Sequence, residues 1–200
     1  MKILLVIDNL GSGGSQRQLV TLGVGLKDAG HDVDLLSYST GIHFKHILEK
    51  EKIRHIFINK KMHNIVLFLF KISKLIGQGK YAVICAYLFR PSLFVLLSRC
   101  LCLRYPKIIL SERSYKEAKN RDIVTLLTRK LYSLADGIVT NSISQADFLK
   151  TSFKRLTKQI YYIPNGVDIR HFQVDKNIFN NKKLSVLSIG HVKKNKNAKC

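Results

Sequence analysis

Four short stretches of this chain carry residue types that can hold an anion or move a proton. The first is Gly11-Ser-Gly-Gly-Ser-Gln-Arg17, where glycines let backbone N–H groups approach an anion or a sugar and the helix that follows favours negative charge at its start. The spacing is not the dinucleotide fingerprint. Gln16 stands at the third glycine position, and the next apolar run ends in Leu36-Ser37-Tyr38, without an acid for a ribose hydroxyl. A nicotinamide dehydrogenase is therefore disfavoured, and a purely structural tight turn is the alternative. The second stretch is Ser111-Glu112-Arg113-Ser114. Glu112 can bind hydroxyls or assist proton transfer with Arg113 as its counter-charge, or the two can form an ordinary loop ion pair. In the third, Ile163-Pro-Asn-Gly-Val-Asp168, Pro164 stops the strand-like run from Ile160, and Asn165-Gly166 supplies the two residue types that tolerate positive φ. This turn reads as a hinge. The fourth is the basic loop from Gly190 to Cys200, after the apolar run Leu184 to Ile189.

A frame is needed to bring these stretches together, and the apolar pattern provides one. Lys2 to Ile7 reads as a continuous strand, and the helix after the glycine loop shows Leu19, Leu22, Leu26 and Ala29 at helical spacing until Gly30. Ser15 with Gln18, and later Ser142 with Gln145, have the spacing of a capping box. Asp32 to Ser37 is a second strand, so the opening is a βαβ unit with a parallel, right-handed connection. Further strands are expected at Ile53 to Ile58, Tyr81 to Tyr87, Lys107 to Leu110, Gly137 to Thr140 and from Ile160. Between them lie expected helices at Asn64 to Ile76, Pro91 to Leu103, Asp122 to Ala135 and Ser142 to about Lys154. Ile123, Leu127, Leu131 and Leu134 share one face of the third. The sum is a doubly wound α/β parallel sheet, in which ligands bind beyond the carboxyl ends of the strands.

Residues 1–170 are the expected domain, 171–183 a polar linker, and 184–200 the first strand and loop of a second, truncated domain. A strand with no helix to cover it cannot bury both faces. No membrane span is visible, since the longest apolar run, Ala82 to Phe89, is too short, and Met1 to Ile7 lacks the features of a secretion signal. Cys85, Cys100, Cys102 and Cys200 have neither paired spacing nor histidines to complete a zinc set, so a reduced cytoplasm and no metal are expected. The formal charge is +21. Nucleic acid, an anionic membrane surface and phosphate-bearing substrates are the candidate partners, and no nucleic-acid-binding motif is present.

Taken together, Gly13-Gly14-Ser15-Gln16-Arg17, Ala135-Asp-Gly-Ile-Val-Thr-Asn-Ser142, Ile163-Pro-Asn-Gly-Val-Asp168 with Phe172, and Ser188-Ile-Gly190 with Lys196-Asn197 resemble the GT-B glycosyltransferases of family 4. The resemblance implies two Rossmann-like domains facing one cleft and a retaining, metal-independent transfer from a nucleotide sugar, UDP- or GDP-linked, with no other cofactor. Carried over by position, Gly13 and Gly14 would face the donor phosphate or sugar, and Lys196 the donor diphosphate, where a fixed cation offsets charge on the leaving group. His191 stands where arginine is usual, so Lys193 or Lys194 would have to supply that charge. Arg17 would stabilise the loop or touch an anionic acceptor, Arg113 would serve the acceptor side, and Asn165 and Gly166 would shape the cleft floor on that side. Gln16 replaces a usual glutamate, and the histidine that many relatives carry near Glu112 is missing. Glu112 would bind acceptor hydroxyls or assist proton transfer. The paired glutamates of the second domain are absent with that domain, so the chain is expected to be inactive alone.

In the expected helix from Asn64, Ile65, Phe68, Leu69, Ile72, Leu75 and Ile76 form the face that should cover the sheet. Val66, Leu67 and Phe70 fall opposite, beside Lys71 and Lys74, which is the pattern of a helix on an anionic membrane surface, of one buried on both sides or of one packing against a partner. The sequence reading is a glycosyltransferase at the cytoplasmic membrane face with a lipid-linked or other envelope-glycan acceptor. Its rivals are a non-catalytic membrane-surface or glycan-binding module and a nucleic-acid-binding protein, the latter not expected to show sequence-specific contacts.

Overall fold

The computed structural model describes residues 1–60, 64–99, 101, 106–113 and 123–167. Two compact units emerge, Met1–Gly166 and Val167–Cys200. His191, Lys193, Lys194, Lys196, Phe172, Asp168 and the expected linker lie outside the described residues, as do Cys100, Cys102 and Cys200.

In the first unit, β1 (Lys2–Val6), β2 (Asp32–Ser37), β3 (Arg54–Phe57), β4 (Val83–Tyr87), β5 (Lys107–Glu112), β6 (Gly137–Thr140) and β7 (Ile160–Tyr162) form a 7-stranded sheet ordered β3-β2-β1-β4-β5-β6-β7. Every pairing is parallel; Leu5 of β1, for example, lies opposite Leu35 on one side and Cys85 on the other. A parallel sheet must be covered on both faces, which is why its central strands are apolar with little interruption. Ile3, Leu5 and Ile7 point to one core with Leu19, Val20, Val33, Leu35 and Leu48. Leu4 and Val6 point to the other, with Phe68, Ile72, Phe94, Val95, Ile108 and Leu110.

The first core is roofed by α1 (Gly14–Asp28) and α2 (Lys45–Lys50), the second by α3 (Ile65–Gly79), α4 (Phe89–Arg99) and α6 (Ile143–Ser152), while α5 (Ile123–Lys130) packs against α4. Asn64 caps α3, accepting from the Leu67 amide at 2.8 Å. Tyr38, Phe68 and Phe94 meet edge to face with centroids 5.1 to 5.5 Å apart, tying the end of β2 to α3 and α4.

Three expectations change. The short helix α2 was not foreseen, because six residues with one buried leucine, Leu48, carry little periodic signal. Neither capping box forms. Gly13 caps α1 without a side chain, and the Ser142 side chain makes no cap bond to α6. The helix expected to reach Ala135 ends at Lys130 and passes into a 3-10 turn, Tyr132–Leu134. Within this helix Thr125, Thr128 and Arg129 are buried, while Ile123 and Leu127 are 70% and 45% exposed.

Candidate functional site

The loop from Asp8 to Gly13 leaves the carboxyl end of β1 and is shaped by short polar bonds. The Gly11 amide donates to Asn9 Oδ1 at 2.8 Å, an Asx turn that brings the chain back toward α1. Gln16 Nε2 donates to Asp8 Oδ1 at 3.1 Å. A glutamate at that position would set a second carboxylate against Asp8, so the unusual Gln16 fits its neighbour by supplying a donor. A Cβ at Gly13 would lie 2.1 Å from Gln16 Oε1, so a larger residue there would displace the Gln16 amide from its place beside Asp8. At Gly14 nothing lies within 4 Å of an added Cβ, so the first residue of α1 faces open space.

That space is a cleft of about 230 Å³ lined by Gly14, Ser15, Gln18, Arg113, Asn141 and Asn165. Its walls come from α1 and from the segments that follow β5, β6 and β7, all at the carboxyl end of the sheet. Arg113 is fixed by three partners. Its Nε donates to Ser111 Oγ at 2.6 Å, Nη1 to Asn165 Oδ1 at 2.6 Å and Nη2 to the Tyr87 hydroxyl at 2.7 Å. Burial raises the Tyr87 pKa and the Arg113 charge opposes the rise, so the phenol stays neutral and accepts this bond. Gln18 makes a paired amide contact with the segment after β7, where neither Asn165 nor Gly166 takes the expected positive φ: Nε2 donates to the Gly166 carbonyl at 2.9 Å, and the Gly166 amide donates to Oε1 at 3.1 Å. Leu88, in the tight passage from β4 to α4, has φ of 75°, a strained conformation for a non-glycine residue next to Tyr87.

Glu112 is placed differently. Its carboxylate is buried, 3% exposed, and accepts from Arg129 Nη2, from the Tyr132 hydroxyl and from Gln145 Nε2 at 2.6 Å, and Glu112 does not line the cleft. The counter-charge is thus Arg129 on α5 and not the adjacent Arg113, because successive residues of an extended chain point to opposite faces. Burial and the neighbouring carboxylate push the Tyr132 phenol well above its ordinary value, so it remains a donor.

Of the residues singled out by sequence, the structure gathers Gly14, Arg113 and Asn165 at the cleft, with Gly166 held behind Asn165 by Gln18. Gly13 sits at the neighbouring loop end. Arg17 does not line the cleft; its guanidinium is 5.9 Å from the Phe44 ring centroid. His191, Lys194 and Lys196 lie outside the described residues. Ser15, Gln18 and Asn141 were missed as site residues. Asn141 could have been found from its place directly after β6, and Gln18 from lying one helical turn beyond Gly14. Among the described residues no group of three or more His, Cys, Asp and Glu could hold a metal ion.

Residues 12–171 match the family model described as Glycosyltransferase Family 4. A comparison with curated protein sequences gives no match. Solved structures show the same fold. Anabaena Alr3699/HepE in complex with UDP-glucose has a TM-score of 0.72 at 16% identity, covering 88% of this chain and 47% of that one. A glycosyltransferase from Rickettsia africae has a TM-score of 0.66 at 22% identity, covering 84% and 44%. The lipopolysaccharide outer core galactosyltransferase WaaB has a TM-score of 0.64 at 12% identity, covering 86% and 47%. The chain therefore spans less than half the length of each of these structures.

Proposed function

The chain belongs to glycosyltransferase family 4, and from that premise we propose that residues 1–170 form the acceptor-side domain of a retaining, metal-independent transferase. Its donor is a UDP- or GDP-linked sugar. Its acceptor is a lipid-linked saccharide or another envelope-glycan precursor, reached at the inner face of the cytoplasmic membrane. In this reaction the bond from the anomeric carbon to the donor diphosphate breaks, and a new bond forms from that carbon to an acceptor hydroxyl oxygen with configuration retained. The hydroxyl proton passes to the departing nucleoside diphosphate.

One observation carries this reading. The open first turn of α1, at Gly14 and Ser15, shares a cleft with the fixed cation Arg113 and the amides of Asn141 and Asn165. Backbone N–H groups at a helix start and a held guanidinium suit phosphate, and the amides suit sugar hydroxyls. We assign Gly13 and Gly14 to the donor and Arg113, Asn165 and Gly166 to the acceptor side, with Arg17 bracing the loop. Lys196, His191 and Lys194 are assigned to the donor diphosphate, in a second domain that begins at 184 after a linker over 171–183. Glu112 acts here as a positioning residue, since its oxygens are already taken by Arg129, Tyr132 and Gln145.

The test is transfer of labelled sugar from UDP- and GDP-sugars into a membrane-lipid extract, by the gene product that carries this chain. Transfer that Arg113→Ala lowers about tenfold or more, the weight of one charge-assisted contact, supports the reading. No transfer from either nucleotide series, with lipid or glycan binding retained, replaces the enzyme by a binding module.

A further inference from the structure

We propose that the outer surface of the α3–α4–α5 layer is a docking face for an anionic lipid bilayer. The first observation is the orientation of α5. Arg129 must turn inward to reach Glu112, and Thr128 Oγ1 bonds to the Phe89 and Val124 carbonyls, so the polar side of this helix faces the protein. Ile123, Leu126 and Leu127 are thereby turned to solvent, with the exposed Lys130 completing the stripe. Such an arrangement leaves apolar area exposed, which contact with an outside apolar medium would recover.

The second observation is α3. Phe68, Ile72 and Ile76 already fill the core from this helix. Val66, Leu67 and Phe70 form a second apolar face, 52 to 69% exposed, and Lys71 and Lys74 lie on that same exposed side. Long lysine stems can lie along such a surface and lift their ammonium groups to the level of lipid phosphates. α4 packs between α3 and α5 and adds Arg90 and Leu97 to the outside, with Leu101 just beyond its end.

Charge selects the occupant. From Lys52 to Ser111 the sequence contains no Asp or Glu, and none occurs from Ile123 to Ala135, so every charged residue these helices present is a cation. Bulky apolar groups with only cations among them match a bilayer interface, where hydrocarbon lies beneath a layer of phosphate. Nucleic acid would have no apolar layer to receive Phe70 and Leu127. No helix among the described residues is long and apolar enough to cross a membrane, which leaves lying on the surface as the mode for these helices. Because the strands are parallel, the N-terminal halves of α3 and α5, where the apolar residues concentrate, are at the carboxyl end of the sheet, the end that holds the cleft. Docking would seat the cleft beside the lipid headgroups. The inference goes beyond the transferase reading and stands without it, since binding to plain vesicles involves neither nucleotide sugar nor saccharide.

The experiment is flotation of the full chain with vesicles of phosphatidylcholine, alone or with about a third phosphatidylglycerol, at low and high salt. Expected is binding that requires the anionic lipid and weakens with salt. The pairs Leu67→Ser/Phe70→Ser and Leu126→Ser/Leu127→Ser should each reduce it about tenfold, and Lys74→Glu/Lys130→Glu should remove the lipid-charge dependence. Circular dichroism and thermal unfolding confirm that each variant is folded. Folded wild-type protein that ignores anionic vesicles overturns the proposal, as does binding that both serine pairs leave unchanged. Sedimentation velocity showing a dimer that the serine pairs dissociate would also overturn it, because the face would then be covered by a second copy.

Discussion

Replacing Glu112 by glutamine separates a structural from a chemical role for this carboxylate. The side chains of Glu112 and Arg129 are 2% and 8% exposed, so the two charges compensate each other out of reach of bulk water. Glutamine keeps the shape, and its carbonyl oxygen can still accept from Arg129 and Gln145 while the Tyr132 hydroxyl rotates to accept from the new amide. What is lost is the negative charge that faces the buried guanidinium. Breaking a buried pair from one side costs about 3–5 kcal/mol. For a chain of this size each kcal/mol lowers Tm by about 2–4 °C, so a fall of about 6–20 °C is expected. Urea unfolding should show the same loss as a lower midpoint with an unchanged slope. The further change Arg129→Met, which removes the buried cation as well, should restore most of it. A loss below about 1 kcal/mol in Glu112→Gln would refute the reasoning. Sugar transfer abolished at unchanged stability would instead return Glu112 to direct work on the substrate.

Three other outcomes are expected. Gly14→Val should leave the urea midpoint within about 0.5 kcal/mol, because the new side chain enters open space, while binding of pyrophosphate or a nucleotide sugar measured by calorimetry falls sharply; equal binding by both proteins would remove Gly14 from the site. Gln18→Ala deletes both hydrogen bonds to Gly166, and exchange of the Gly166 amide should quicken about fivefold, the equivalent of one hydrogen bond of about 1 kcal/mol, as read by NMR. Asp34 at the opposite end of the sheet should govern acid stability. Its burial acts to raise the pKa, but hydrogen bonds from Arg54 and Tyr81 and the charges of Arg54 and Lys2 together outweigh it, and the folded value lies below the ordinary 3.8. The stabilisation is therefore present above pH 3.8 and lost as pH falls through the folded value, and Asp34→Asn should flatten the dependence of the urea midpoint on pH over that acid range.

The cleft depends on polar side chains that cross the molecule. Arg113 reaches Asn165, and Gln18 reaches Gly166, joining the segment after β5 and the first helix to the segment after β7. A ligand that competes for the Arg113 guanidinium would act on this last segment directly. The same two glutamines that have capping-box spacing, Gln18 and Gln145, are spent on long-range contacts, one on Gly166 and one on the buried carboxylate.

The alternation of strands and helices, and the parallel sheet they build, are legible in the amino-acid order. Ile3, Leu4, Leu5 and Val6 form an unbroken apolar run, and all four are buried in β1 because a strand covered on both faces leaves no position for a polar side chain. Glycine likewise marks the loop after β1, but the positive φ expected of Asn165-Gly166 does not occur in the structure, because a residue type that tolerates a conformation does not impose it. Packing in three dimensions was needed to settle which side of α5 faces inward, that Arg129 and not Arg113 neutralises Glu112, and that Gln18 meets Gly166. Periodicity states which residues share a face, not which face is buried. A hydrogen bond between residues far apart in the chain leaves no local pattern, since each partner's type suits many other neighbours until packing brings the two within reach.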